Sequence, residues 1–163
     1  MSRIIGGPFR VYWDTQDMGY SESDIELNDE PQFVEAKVTE FGDSVFNEMT
    51  NGSACTITVP FTEMSNTVFA KLGGTEVGTD VIFSCPVGTL VRTLAKELIL
   101  KPVVDQVVSV DSKEWTTVYV TYPKRKFATT YGPSQRVWNV EFQAYPSLVS
   151  GQKGYFYKLG ENA

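Results

Sequence analysis

The chain has 163 residues, 42% of them hydrophobic, and a net charge of −6, which excludes disordered, collagen-like and low-complexity chains. This length predicts one domain over residues 1–163. The negative charge disfavours a protein whose main role is to grip nucleic-acid phosphates. There is no histidine, so Ser-His and Cys-His dyads are excluded, and we expect neither enzymatic activity nor catalytic residues.

Cofactor, metal and membrane signals are missing from the sequence. Cys55 and Cys85 are too few for a disulfide framework and lack the paired spacing of a metal site, so we expect small buried side chains at both positions. No apolar run approaches the roughly 20 residues that span a bilayer, and the first residues do not resemble a secretory signal. We therefore expect no metal, no cofactor and no membrane anchor, with synthesis in a reducing cytoplasm.

Alternating apolar and polar residues predict a mainly β chain. Val, Ile, Thr and aromatic residues, which suit a half-buried pleated surface, make up 63 of the 163 positions. The clearest strands each have one polar face, which predicts antiparallel sheets packed as a sandwich or barrel. In chain order the predicted strands are residues 9–13, 33–41, 53–61, 80–84, 97–104, 115–122, 136–144 and 154–159.

Helical signal is scarce. In residues 64–72, Val68 and Leu72 lie four apart, Ser65 can cap the N-terminus and two glycines follow, which predicts one short flanking α-helix. Residues 87–98 have helical leucine spacing but run directly into an apolar strand, so their type stays open. Weak periodicity predicts three long loops, at residues 14–31, 42–52 and 73–79.

Charge is divided unevenly along the chain. Residues 1–64 hold 12 acidic and 3 basic residues, whereas residues 65–163 hold 8 acidic and 11 basic ones. This division is either chance or the mark of a head-to-tail contact between subunits. Basic residues next to aromatic ones are also typical of a nucleic-acid surface, which the acidic total disfavours. A basic turn at a strand end can equally face solvent or form a patch that contacts the acidic side chains of another subunit. The candidates are Lys124, Arg125 and Lys126.

Several segments follow one another in a familiar order. A strand ends in Val38-Thr39-Glu40-Phe41-Gly42, and after a loop comes the alternating strand Ala54-Cys55-Thr56-Ile57-Thr58. That strand closes with Val59-Pro60-Phe61-Thr62-Glu63 before the short helix. Residues 94–102 then precede the strands around Trp115 and Trp138. Over residues 33–144 this order resembles the tail tube subunits of long-tailed bacteriophages.

The resemblance implies a structural protein of the virion tail, made in the host cytoplasm. Six β-sandwich subunits would form a ring with one continuous inner β-barrel, and the stacked rings would carry DNA without binding it specifically. Residues 1–13, which include the first strand, and residues 151–163 would be arms reaching neighbouring subunits, and other tail proteins would be partners. Residues 42–52 would contact the next ring, with Gly42, Asp43, Phe46, Glu48, Asn51 and Gly52 as candidates.

A DNA conduit should repel phosphates, so an acidic lumen is expected. The polar faces of two predicted strands supply candidate lumen residues, which are Glu35, Lys37, Asn139, Glu141 and Gln143.

Three alternatives stay open at this point. One is the tube of a contractile tail or of a type VI secretion apparatus, which shares the architecture. Another is a different ring-forming part, such as a tail terminator, neck or baseplate ring. The third is a monomeric β-sandwich binding module, for example one that recognises a carbohydrate.

Overall fold

The computed structural model describes residues 8–21, 24–37, 45–61, 65–84, 86–124 and 137–160, with the backbone alone at position 46. Of these residues, 59% lie in strands and 8% in helices, which confirms the predicted mainly β class. Within these ranges no helix is both long enough and apolar enough to cross a bilayer.

Eleven strands and two short helices make up the described part of the chain. They are β1 (Phe9–Trp13), β2 (Gln16–Tyr20), β3 (Glu26–Lys37), β4 (Val45–Phe61), α1 (Asn66–Lys71), β5 (Gly74–Val77), β6 (Asp80–Phe83), α2 (Val91–Leu94), β7 (Lys96–Val104), β8 (Val107–Val108), β9 (Thr116–Pro123), β10 (Trp138–Ala144) and β11 (Tyr157–Lys158).

The main sheet is antiparallel and closes on itself. Its strand order is β2-β1-β7-β9-β10-β4-β3, with β11 added to β9 and β8 added to β7. The sheet closes between β2, at one end of this order, and β4, the strand next to β3 at the other end. Ser21, just after β2, bridges Phe61 at the end of β4. The Ser21 N–H also donates to the Phe9 carbonyl at 2.9 Å. The chain from β2 to β3 therefore passes from β1 to β4, which gives a barrel.

The core fills this barrel with the apolar face that alternation predicts. Cys55, Ile57, Val59 and Phe61 are fully buried along β4. Removing a side chain of this kind from water contributes about 1.5–3 kcal/mol for each larger residue. The other strands add Val11, Trp13, Met18, Leu98, Leu100, Val118, Val140 and Phe142.

One hydroxyl is buried with the apolar core and has its hydrogen bonds satisfied. The indole N–H of Trp13 donates to Thr121 Oγ1 at 3.2 Å, and the same hydroxyl donates to the Lys96 carbonyl at 2.9 Å. Because a buried polar group without partners is costly, this short chain of bonds ties β1, β9 and β7 together at one level of the barrel.

The short helix forms as predicted. Ser65 caps α1 by accepting the Val68 N–H at 3.3 Å, and Leu72 closes the other end. Val68 and Leu72 face the core, while Phe69 meets Trp138 edge-on with ring centroids 5.0 Å apart. The ambiguous segment 87–98 divides into one helical turn, α2, and the start of β7.

The expected loop over residues 14–31 is wrong. It contains β2 and the first part of β3, joined to β1 by a two-residue turn in which Asp14 and Thr15 both have positive φ. Such turns match the twist of a hairpin but usually contain glycine, so this one has no strong sequence signal.

The two expected terminal arms lie on the body wherever the structure describes them. Residues 9–13 are β1, paired on both sides with β2 and β7. At the other end, β11 pairs with β9, and Gly160 is packed so closely on Lys113 that an added Cβ would lie 2.0 Å from the Lys113 carbonyl oxygen. Residues 1–7 and 161–163 lie outside the described residues.

Candidate functional site: a polar sheet face and a projecting arm

The outward side of β10, β4 and β3 is a continuous polar face. Rows of residues cross the three strands in register, with Glu141 beside Thr58 and Glu26 in one row. Threonine and carboxylate side chains fill this surface because the opposite side of each strand is committed to the core. The polar face consists of Asn139, Glu141, Gln143, Thr56, Thr58, Glu26 and Asn28.

Several of its polar side chains have partners within the chain, and at the exposed edge the Asn28 Nδ2 donates to Glu26 Oε1 at 3.1 Å. The Lys124 Nζ lies 3.3 Å from Glu141 Oε1, and the Lys124 N–H donates to the Glu141 carbonyl at 2.9 Å. The Gln143 Nε2 donates to the Cys55 carbonyl at 3.0 Å. These contacts fix the side chains nearest to β9, whereas Glu26 and Asn28 stand at the exposed edge.

The second feature is a projecting arm, defined as residues 31–37 of β3 and residues 45–53 of β4. The two strands pair with each other, but in the described part of the chain no body strand pairs with them. Their side chains are largely exposed, with Phe33 at 55% and Met49 at 59%. An isolated two-stranded ribbon is marginally stable in water. Exposed apolar surface of this kind is typical of an interaction site.

A bulge marks the root of the arm. The register shifts between Pro31 and Phe33, and Gly52 takes a φ of +104° opposite the shift, a conformation that suits glycine. Beside the root, the Tyr157 hydroxyl lies 3.2 Å from Asp29, whose carboxylate also accepts from Ser53. The C-terminal strand β11 is thereby connected to the base of the arm.

The buried thiol near this root is not set up for chemistry. Burial and the neighbouring Asp29 raise the pKa of Cys55 to about 11, so the thiol stays protonated near neutral pH. The prediction of a buried Cys55 is confirmed. Cys85 lies outside the described residues.

The structure divides the five candidate lumen residues between these two features. Asn139, Glu141 and Gln143 belong to the polar face, whereas Glu35 and Lys37 belong to the arm, with Lys37 Nζ 4.0 Å from Glu35 Oε2. Sequence reasoning missed Glu26 and Asn28, since it placed them in a loop. The alternation of Ile25 and Leu27 with these two residues is the signal that could have found them.

The expected stacking loop at residues 42–52 needs a correction. Residues 45–52 are strand, because continuous pairing with β3 carries β4 outward from the barrel; Glu48 lies directly opposite Glu35. Asn51 and Gly52 sit at the bulge, and Phe46 has its backbone in β4. Gly42 and Asp43 lie outside the described residues.

The predicted basic patch is described at one position. Lys124 is exposed and pairs with Glu141, while Arg125 and Lys126 lie outside the described residues. Other cations lie across the barrel on β1 and β7, where the Arg10 guanidinium stacks over Tyr20 at 4.1 Å and the Lys101 ammonium over Trp115 at 3.9 Å.

Arg10 also forms the shortest of the described ion pairs on that side, with Asp17 Oδ2 2.6 Å from its Nη2. The hydrogen bond from Arg10 to Asp17 raises the pKa of Arg10. Partial burial works to raise the pKa of Asp17, but hydrogen bonds from Arg10 and from the Gly19 N–H outweigh it and lower that pKa.

The fold and these surfaces define a class, an antiparallel β-barrel protein with a projecting two-stranded arm. Among the described residues there is no group of three or more Cys, Asp or Glu side chains placed to hold a metal ion. No protein-family model matches the chain, and a comparison with curated proteins finds no significant relative.

Proposed function

We propose that this chain is the tube subunit of a long-tailed bacteriophage tail, which assembles as six-membered rings stacked into a DNA conduit. The observation that carries the proposal is the arm. β4 is 17 residues long, and about half of it projects from the barrel, with Met49 of β4 and Phe33 of β3 exposed. A ribbon of this kind gains stability when a second subunit covers it.

The polar face supplies the lumen in this proposal. Glu26 and Glu141 lie in one row, and six copies in a ring would repeat that row around the channel. Repeated carboxylates repel DNA phosphates, so the polymer slides through instead of adhering. The edge strand β3 would be protected by a neighbouring subunit, since an exposed strand edge otherwise invites aggregation.

Negative-stain electron microscopy of the purified chain over a concentration series tests the assembly. Rings or hollow tubes with six-fold end views are the expected result. The matched control replaces residues 32–52 with an Asn-Gly turn joining Pro31 to Ser53, which are already paired. This variant should keep the barrel and form no tubes. A full-length chain that stays monomeric at every concentration contradicts the proposal and favours a monomeric binding module.

The lumen assignment has its own test. Glu26→Lys combined with Glu141→Lys should make assembled tubes retain DNA in a salt-sensitive manner, because the channel becomes positive. Glu76→Lys introduces the same charge change on the separate β5–β6 hairpin and should retain none. Equal DNA retention by both variants, or by neither, would remove the polar face from the lumen.

A further inference from the structure

A second apolar surface lies on the body, beneath the segment of residues 86–95, which we call the flap. Between the flap and the barrel is a cavity of about 760 Å³ with mainly apolar walls. The barrel contributes three aromatic side chains, and the flap, which includes the single turn α2, contributes aliphatic ones. The walls include Trp13, Tyr122 and Tyr145 from the barrel and Val87, Val91 and Leu94 from the flap.

The outer lip of this cavity is also apolar. Val87 is fully exposed, and Leu90 is 75% exposed. A small molecule held within the cavity would leave both side chains in water. A partner that inserts a side chain and also covers the lip would bury all of this surface, which favours a protein segment as the occupant.

One face of the arm carries an aromatic side chain together with acidic ones. The register puts Phe33 and Thr50 on one side of the arm together with the opposed pair Glu35 and Glu48. Two carboxylates directly opposite each other repel. Lys37 Nζ lies 4.0 Å from Glu35 Oε2, and a second cation would relieve the repulsion further. One aromatic side chain flanked by two carboxylates is therefore the surface that this side of the arm offers.

Two cations lie at or beside the cavity. Lys124 lines the cavity and has its Nζ 3.3 Å from Glu141 Oε1, and Arg92 follows Val91 in α2. The Arg92 guanidinium donates to the Pro146 carbonyl and acts electrostatically on Tyr145. Its remaining N–H groups are able to meet a carboxylate. The apolar walls and these two cations complement the Phe33 side of the arm.

We infer that the cavity beneath the flap is the receptor for the arm of a second copy of this chain, with Phe33 as the inserted anchor and Glu35 and Glu48 facing Lys124 and Arg92. The contact joins two different surfaces, so it is heterologous and can propagate around a ring or along a stack. This inference rests on the proposed tube assembly and names the surfaces that make it.

Disulfide cross-linking between two variants, each with one introduced exposed cysteine, tests the contact. In a Cys85→Ser background, one chain carries Thr50→Cys beside Phe33 and the other carries Val87→Cys on the lip. Buried Cys55 stays protonated and out of reach in both chains. Covalent dimers should form in the mixture at least tenfold more than in either variant alone. Thr50→Cys mixed with Glu76→Cys, on the β5–β6 hairpin, is the control and should give few dimers.

Two further substitutions test whether Phe33 is the side chain that anchors the contact. Phe33→Ala should reduce the cross-linked yield about tenfold, whereas Val34→Ala, on the other side of the arm, should leave it within twofold. If tubes form but this cross-link does not, the inference is overturned and the proposed function stands. The same holds if tubes form and both substitutions reduce the cross-linked yield equally. Neither tubes nor cross-links would overturn both.

Discussion

The β3–β4 hairpin joins two regions of opposite character within one pair of strands. In the body, residues 55–58 pair with both β10 and β3, and Cys55, Ile57, Val59 and Phe61 are fully buried. In the arm, residues 45–53 pair with β3 alone, and Val45 and Met49 are exposed. The backbone hydrogen bonds continue across the Gly52 bulge, but the burial does not. Strand geometry thus extends beyond the core that anchors it, and the projecting part adds no residue to that core.

The largest effect on stability is expected from creating a cavity in the core of the body. Phe142→Ala removes a fully buried ring that contacts Trp13 and should lower the free energy of unfolding by about 3–5 kcal/mol. Urea denaturation of the monomeric arm-replacement variant measures this without interference from assembly. A loss below about 1 kcal/mol would mean that the barrel interior is not the source of stability.

A smaller loss should follow from breaking the buried hydrogen bonds of the body. Thr121→Val leaves the Trp13 indole N–H and the Lys96 carbonyl without their partner, which should cost about 1–3 kcal/mol. The same denaturation experiment measures it, and Thr121→Ser, which keeps the hydroxyl, is the control. A loss in Thr121→Ser as large as in Thr121→Val would show that the methyl group contributes as much at this position as the two hydrogen bonds.

The ion pair between Arg10 and Asp17 should contribute less, because both side chains are partly exposed. Asp17→Asn should lower stability at pH 7 by about 0.5–1 kcal/mol. Since the pKa of Asp17 is lowered in the folded state, this contribution is present above the ordinary carboxyl value near 4 and disappears as the pH falls through the lowered value.

Thermal or urea unfolding measured between pH 2 and pH 7 checks this dependence. The wild-type chain and Asp17→Asn should differ at neutral pH and converge in acid. Asp80→Asn, at an exposed position on β6, should show no such convergence. A difference that stays constant with pH would mean that the charge of Asp17 is not what stabilises the pair.

The smallest effect on stability is expected in the arm. Phe33→Ala in the wild-type chain should change the unfolding free energy of the monomer by no more than about 0.5 kcal/mol, because its ring gains little burial there. Dilute samples measured by denaturation give the monomer value, and Phe142→Ala provides the contrast. A loss as large as in the core would mean that the arm is packed on its own body in solution.

Much of the fold could be predicted where one face of a strand is buried. The alternation in residues 53–61 and 136–144 predicted β4 and β10 and their core faces, since the side-chain period of a strand is two. The capping Ser65 and the glycines after Leu72 likewise predicted α1. These signals are local, so they survive without knowledge of the rest of the chain.

The arm and β2 could not be recognised in the same way. The residues at positions 45 and 47–52 are exposed on both faces of the strand, so no alternation distinguishes one face from the other. The turn before β2 uses Asp14 and Thr15 in place of a glycine-containing pair, and β2 itself has a single strong apolar residue, Met18. Each segment is a strand because it pairs with a neighbouring strand. A pattern read along one segment does not predict that pairing.

The sequence by itself determined the mainly β class, the short capped helix, the buried faces of β4 and β10 and the absence of histidine chemistry. It also predicted a polar face on β10. Only the tertiary structure decided that the sheet closes through Ser21 and Phe61, that Glu26 joins Glu141 in one row, and that half of β4 leaves the barrel as an arm. The physical reason is that side-chain period is a local property, whereas register, closure and the neighbours of an exposed strand depend on contacts between residues far apart in the chain.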